Sequence, residues 1–429
     1  MSKKNVVNGK RILITSWSLA NWGGAALNSL ELALYLKECG ATPVLFSYDI
    51  DGPMAEHIIK NLEIEVLTDE ISRKSLDVKS LSSSQISSND YDYVIVSANI
   101  IPIPIIIELE QNKKRRPKFI FLHMSALPAY PLDAPLFDNF EKNIAHRILS
   151  ISEDTTDNTI KRILGENIKV DYYRNPAPKE FSEIKKTPTS LRRIAIISSS
   201  EPSEEVIEAG RSLTTRGLRV DYIGRFAGNE RNVNSKFYEE YDLIIGIGKN
   251  VQYSMVSGIP IYVYGKFGGS GYLEESNIDK NKANNYSGRG FYKKTSENIE
   301  KEIINGYRNA LSYHTEKRTE WIGEYSIDRV VNSLFKELDS EKIKEIDFHK
   351  DYINWMISQQ VLVCQSIDAS KVSNLYAKEL RSSEEKQRQI ILLKEELKNI
   401  NERLNETLFI KARRKAGALK RIVFGNTRP

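Results

Sequence analysis

Apolar runs of four or five residues, each closed by Gly, Pro or a polar cluster, alternate with stretches of helical period along the first three quarters of the chain. Runs that short, without polar alternation, are the pattern of strands covered on both faces, and therefore of a parallel sheet wrapped by helices. Strands are predicted at 11–16, 42–47, 63–67, 93–97, 118–123, 146–152 and 169–173. A helix predicted over 25–38 places Leu27, Leu30 and Leu34 on one face with Ala33 beside them, and Gly40 stops it. After Asn175-Pro176-Ala177-Pro178 a polar stretch reads as a linker, and a second alternation begins. It has strands at 193–198, 219–223, 243–247 and 261–264, a helix over 203–216, a short helix over 251–256, and closing helices over 295–312 and 320–338. The pattern predicts an α/β chain with two β/α domains, 1–177 and 178–338, and a helical extension over 339–429.

In the extension, 351–363 is amphipathic or apolar and is expected to pack on the second domain or on a partner. Ile390, Leu393, Leu397, Ile400 and Leu404 alternate steps of three and four, a short seam within 384–407 that predicts either homo- or hetero-oligomer contact or a helix folded back on its own chain. No apolar run approaches the roughly 20 residues that span a bilayer, and the polar N-terminus passes directly into a strand. A cytoplasmic location is expected. Cys39 and Cys364 lie too far apart in sequence to suggest a disulfide framework or a thiolate zinc site.

The net charge of +5 changes meaning once divided: residues 407–429 carry seven basic side chains and no acid, leaving the preceding chain at −2. A nucleic-acid partner is therefore not expected, because its binding face would be basic within the folded core. The tail intersperses Leu408, Phe409, Ile410, Leu419, Ile422, Val423 and Phe424 with its cations. That mixture suits peripheral contact with anionic lipid on the inner face of a membrane, at about 1 kcal/mol per cation.

Candidate chemistry concentrates in 241–277. Gly248, Lys249 and Asn250 fall where a buried strand ends and a helix begins, so unpaired amide groups and a lysine converge on a place for an anion. Two further glycine-rich loops follow, one with Gly268, Gly269 and Tyr272, the other with Arg289, offering close backbone approach, a stacking face and a charge. In the first βαβ unit, Asn21-Trp22-Gly23-Gly24 occupies the same kind of strand end, but the G-x-G-x-x-G spacing is absent and NAD is not indicated. Asp49 and Asp51 read as a turn before Gly52-Pro53 rather than a metal site, and His57, His146, His314 and His349 have no metal-ligand spacing.

The stretch GGAALNSLELALYLKECGATPVLFS resembles the first glycine loop and helix of glycosyltransferase family 4 and its relatives. The resemblance continues through FLHMSALP, LSISEDTTDNTIKRI, YYRNPAP and the 241–277 stretch to YSIDRVVNSLFKEL, covering roughly residues 10–338. It implies two Rossmann-like domains facing a cleft (the glycosyltransferase-B fold), with retaining, metal-independent sugar transfer from a nucleotide-sugar donor to a glycan or lipid-linked acceptor in surface polysaccharide synthesis. By position, Gly23 and Gly24 match the loop that closes over the donor, His123 a catalytic histidine beside the reacting sugar, and Arg225 a phosphate ligand. Gly248, Lys249, Asn250 and Val251 match the helix start that holds the diphosphate. Such enzymes commonly carry two glutamates eight positions apart; here these positions hold Ile245 and Tyr253, with Gln252 beside the second and Glu274 and Glu275 as candidate replacements. No cofactor is expected beyond the substrate, since helix N-termini, Lys and Arg can stabilise a leaving diphosphate. Two other readings stand beside this one. One is another enzyme of the same architecture, a nucleotide-sugar epimerase or polyol-phosphate transferase; the other is an inactive subunit that binds glycan or a partner, which the missing glutamates favour.

Overall fold

A computed structural model describes residues 6–68, 86–97, 99–111, 117–126, 134–185, 189–344 and 348–362, with isolated positions 365, 395 and 398. The predicted seam at 390–404 and the basic tail lie outside the described residues.

The first seven strands are β1 (Arg11–Thr15), β2 (Thr42–Phe46), β3 (Glu65–Leu67), β4 (Tyr93–Ser97), β5 (Lys118–His123), β6 (Ala145–Ser150) and β7 (Asp171–Tyr172). They form one sheet in the order β3-β2-β1-β4-β5-β6-β7, and every pair is parallel. The apolar runs of β4 and β5 are buried on both faces, as their lack of alternation requires. Helix α1 (Gly24–Glu38) buries Leu30, Ala33 and Leu36 against this sheet. The apolar stretch after β4 enters α2 (Ile103–Gln111), and α3 (Asp138–Ile144) precedes β6.

A second sheet contains β8 (Arg193–Ile197), β9 (Arg219–Ile223), β10 (Leu243–Gly246), β11 (Ile261–Gly265) and β12 (Gly268–Tyr272), in the order β12-β11-β10-β8-β9. Only β12 is antiparallel to its neighbour. Sequence composition predicts a loop there, but GGSGY pairs as an edge strand. A β-carbon on Gly269 would collide with the Val263 carbonyl, so glycine is what allows β12 to lie this close to β11.

Helices α4 (Glu204–Thr215), α5 (Lys249–Ser257) and α6 (Ser296–Tyr325) cover the second sheet. The two closing helices predicted at 295–312 and 320–338 are instead one 30-residue α6, then a break at Ser326 and α7 (Ile327–Asp339). At the break the Ala177 N–H donates to Tyr325 O (2.7 Å) and the Ile327 N–H to Ala177 O (3.0 Å), clamping the chain to the linker as it crosses back. Thus α7, grouped by chain order with the second domain, buries Ile327, Val331, Phe335 and Leu338 in the core of the first. The helix over 350–362, α8, also packs on the first domain. Tyr352 OH accepts from the Phe140 N–H (2.9 Å), Gln360 Oε1 from the Ile101 N–H (3.3 Å), and Trp355 meets Phe137 edge-on.

Within α6, His314 is fully buried against Trp321, and burial pushes its pKa down to about 3 from 6.5. Between those values the folded state binds fewer protons than the unfolded chain, so stability falls as pH drops through 6.5. By pH 5 this one group is expected to cost about 2 kcal/mol. His314→Phe should remove that part of the acid sensitivity in urea unfolding at pH 7.5 and 5. An unchanged difference between the two pH values would refute the assignment.

Candidate functional site

The carboxyl ends of the parallel strands of the two sheets border a cavity of about 480 Å³. From the first domain it is lined by Trp22 of the β1–α1 loop, by Gly24 at the start of α1, by Asn28, by Met124 and by Asn175 of the linker. From the second domain come the loop 198–203 after β8, Gly224 and Arg225 after β9, and the start of α5.

Of the residues singled out in the sequence, Gly24, Arg225, Gly248, Lys249, Asn250, Tyr253 and Arg289 are brought together on this cavity. The others are not on its lining. His123, at the end of β5, is buried and sets its Nε2 2.7 Å from the equally buried Glu141 carboxylate of α3; Met124, the next residue, faces the cavity instead. Gly268 and Gly269 belong to β12, and the buried Tyr272 hydroxyl donates to Ile303 O (2.9 Å). Glu274 is exposed beyond that strand, in a turn where its N–H donates to Asn277 Oδ1. Val251 and Gln252 are buried within α5, and Gly23 caps α1 just behind the loop face.

Lys249 lines the cavity but its ammonium is committed. Nζ lies 2.6 Å from Glu31 Oε2, 2.7 Å from Asn28 Oδ1 and 3.2 Å from Pro176 O. With two hydrogen bonds donated and a carboxylate oxygen 2.6 Å away, Nζ is placed as an ammonium. Burial pushes the Lys249 pKa down and the Glu31 pKa up, and their mutual contact opposes both shifts. Glu31 also accepts a hydrogen bond from the Tyr253 hydroxyl. The position where a donor-binding glutamate is expected therefore holds a tyrosine whose partner carboxylate arrives from α1 of the other domain. The anion expected beside Lys249 is, in this structure, the protein's own Glu31.

What remains for an exogenous anion is the backbone and the two arginines. At the start of α5 the Gly248 N–H donates to Tyr286 O and the Val251 N–H to Gly248 O, so the Lys249 and Asn250 amides are those without an intrahelical acceptor, beside the cavity that their residues line. Arg225, well exposed, lies 3.4 Å from Glu230, whose other oxygen accepts the Trp22 N–H at 3.2 Å. Arg289 reaches across to Asp154 of the first domain, with Nε at 2.9 Å and Nη2 at 2.5 Å. Glu230 and Asp154 thus tie both domains to the arginines that face the cleft. Asn28, Glu31, Asn175, Asn285, Glu230 and Asp154 were not legible as site residues; the one local signal was Asn28 and Glu31, one helical turn apart in a mostly apolar part of α1.

No protein-family model matches the chain, and no curated protein matches it. Among solved structures, a glycosyltransferase from Rickettsia africae ESF-5 superposes with a TM-score of 0.51 at 15% identity, over 78% of this chain and 100% of that one. The chain has the glycosyltransferase-B fold. A putative UDP-N-acetylglucosamine 2-epimerase from Listeria monocytogenes matches at TM-score 0.47 and 11% identity, over 79% of this chain and 99% of that one. MurG from Acinetobacter baumannii matches at 0.43 and 12%, over 76% and 99%. Among the described residues no helix is long and apolar enough to cross a membrane.

Proposed function

We propose that the cavity takes a nucleotide-sugar donor and that the chain is a glycosyltransferase of hexosyl type. The observation that carries this reading is the cavity's makeup: an α5 N-terminus and Arg225 on the second-domain wall, opposed by the Trp22–Gly24 loop on the first. Fixed amide dipoles and a guanidinium aimed where a diphosphate leaves stabilise the charge that develops there. Those groups supply this without a metal ion. The acceptor hydroxyl enters from the first-domain side and transfer retains the anomeric configuration, as the sequence resemblance implies. His123 has no part in this scheme, because it is not among the residues that line the cavity and its Nε2 lies 2.7 Å from the Glu141 carboxylate. The acceptor in this proposal is a glycan or lipid-linked sugar of a surface polysaccharide, with the basic tail bringing the chain to the inner face of the membrane.

The test is stabilisation of the wild type and of Arg225→Ala by UDP, GDP, dTDP, CDP and their common sugars, with and without magnesium. A hundredfold excess over Kd should raise stability by about 2.7 kcal/mol. Stabilisation by one nucleotide class, equal without magnesium and weakened about tenfold or more in Arg225→Ala, is the expected result. Failure of every nucleotide would end the reading. A second reading, a non-catalytic subunit, is favoured by Tyr253 in place of the expected glutamate; nucleotide-sugar binding without release of the nucleotide in the presence of acceptor lipid would select it.

A further inference from the structure

Resting on the nucleotide-sugar reading of the cleft, we propose that Lys249 fixes the direction of a row of three asparagine amides, Asn28, Asn175 and Asn285, and that Asn285 thereby presents its NH2 group to an oxygen of the bound donor. Lys249 and the first two amides are positioning residues, and Asn285 makes the contact.

An ammonium only donates, so Asn28 must turn Oδ1 toward Lys249 (2.7 Å). Its Nδ2 then donates to Asn175 Oδ1 at 2.5 Å. With that oxygen engaged, Asn175 turns its Nδ2 to Asn285 Oδ1 at 2.8 Å. The Asn285 oxygen is occupied in turn, and its NH2 is left for the cavity that Asn285 lines, without a partner among the described residues. An isolated amide can satisfy its neighbours either way round, but a lysine at one end of the row removes the choice for every member.

Residue type supports the row. Asn175 and Asn285 have φ of 49° and 50°, a conformation asparagine tolerates, so backbone geometry alone explains those two. It does not explain Asn28, which sits inside α1 at 3% exposure, where asparagine is a poor helix former and a buried amide is costly unless bonded. Its two engaged groups, one to Lys249 and one to Asn175, account for it. The row spans the first domain, the linker and the second domain, and it ends against the α5 N-terminus, since the Gly248 N–H donates to Tyr286 O at 3.1 Å. The free NH2 therefore adds a donor to the anion-facing end of the cavity. It suits a diphosphate oxygen or a hydroxyl oxygen of the donor sugar, which share the acceptor chemistry.

The experiment measures Kd for the nucleoside diphosphate and the nucleotide sugar, chosen from the UDP, GDP, dTDP and CDP series, that the full-length wild type binds. Asn285→Asp keeps an oxygen for Asn175 but replaces the outward NH2 with an oxygen, and is expected to weaken binding about tenfold or more. Weakening of both ligands places the contact at phosphate; weakening of the nucleotide sugar alone places it at the sugar. Asn28→Asp, which only accepts, should satisfy Lys249 and draw in the Asn175 NH2. That reverses the row, turns the Asn285 oxygen outward, and weakens binding to a similar degree.

Asn175→Gly in the Asn28→Asp background tolerates the positive φ, cuts the row and leaves the added charge in place. Severalfold recovery of affinity is expected, which neither a charge effect nor a general loss of packing would give. Absence of recovery would overturn the directional role, and wild-type affinity in Asn285→Asp would overturn the contact. If the wild type binds none of the nucleotides, the reading of the cleft itself falls, and this inference with it. Melting curves of each variant identify any that misfold; Asn285→Asp, at a half-buried loop position, then carries the test alone.

Discussion

Lys249→Ala is expected to lose about 3–5 kcal/mol of folding stability at pH 8 and to recover a large part of it by pH 5. The loss comes from the partner left behind. Glu31 is largely buried, and burial raises its pKa above the usual 4.5, a shift the lysine now limits. Without the ammonium the carboxylate is an uncompensated charge among Leu30, Leu34 and the aromatic ring of Tyr253, and its pKa rises further. Over the pH range between 4.5 and that raised value, the folded variant binds a proton that the unfolded chain does not. Stability therefore falls as pH rises through the window and returns as pH drops.

Urea unfolding at pH 8 and 5 measures this, with Glu31→Gln added to Lys249→Ala as the control. The double variant should regain most of the loss at pH 8 and show little pH dependence, because glutamine still accepts from Tyr253 and carries no charge. A single variant within about 1 kcal/mol of wild type at pH 8 would show that the pair is solvated and not a buried joint between the domains. The result also bears on function: weak nucleotide binding by a Lys249 variant would report a disturbed domain joint, not a lost phosphate contact.

How far the sequence carried depended on how local the deciding interaction is. Strands β4, β5 and β10 were legible because burial on both faces leaves an unbroken apolar run, and α1 because its leucines recur at helical spacing. GGSGY was misread because strand pairing there rests on the absence of β-carbons next to β11, which composition reports as loop. The apolar positions of α7 and α8 announced that they pack, but nothing in their period says on which domain. In the site, Gly248 and Asn250 were legible as a strand end followed by a helix start. The fate of the Lys249 charge was not, since Glu31 and Asn28 lie more than two hundred residues earlier in the chain. His123 was placed at the cleft because its strand ends there; its ring is instead paired with Glu141 on a helix that follows, a contact that no local pattern shows.

Gly224→Ala is expected to be as costly as the lysine variant and to abolish nucleotide binding, for a reason that owes nothing to ligand contact. Gly224 has φ of 144°, and a β-carbon there would fall within the Ser198 carbonyl group, 2.9 Å from its carbon and closer to its oxygen. Neither side can give. The Ser198 N–H is bonded to Ile223 O at 3.0 Å, and Gly224 and Asn229 exchange backbone hydrogen bonds at 3.3 and 3.2 Å. The loops after β8 and β9 are thus pinned back to back, and together they form the cavity wall that carries Arg225. Overpacking of about 1–3 kcal/mol adds to backbone strain of about 1–3 kcal/mol. Gly228→Ala, four residues on, separates the two terms: its φ is 63° and nothing lies within 4 Å of the added carbon, so only the conformational cost of about 1–2 kcal/mol applies. Urea unfolding of both variants decides the matter. Equal losses would mean that the wall yields and that Arg225 is not held by it. A loss at least twice as large for Gly224→Ala, with nucleotide binding kept in Gly228→Ala, means that the rigid crossing of the two loops, built from backbone alone, is what aims the arginine into the cleft.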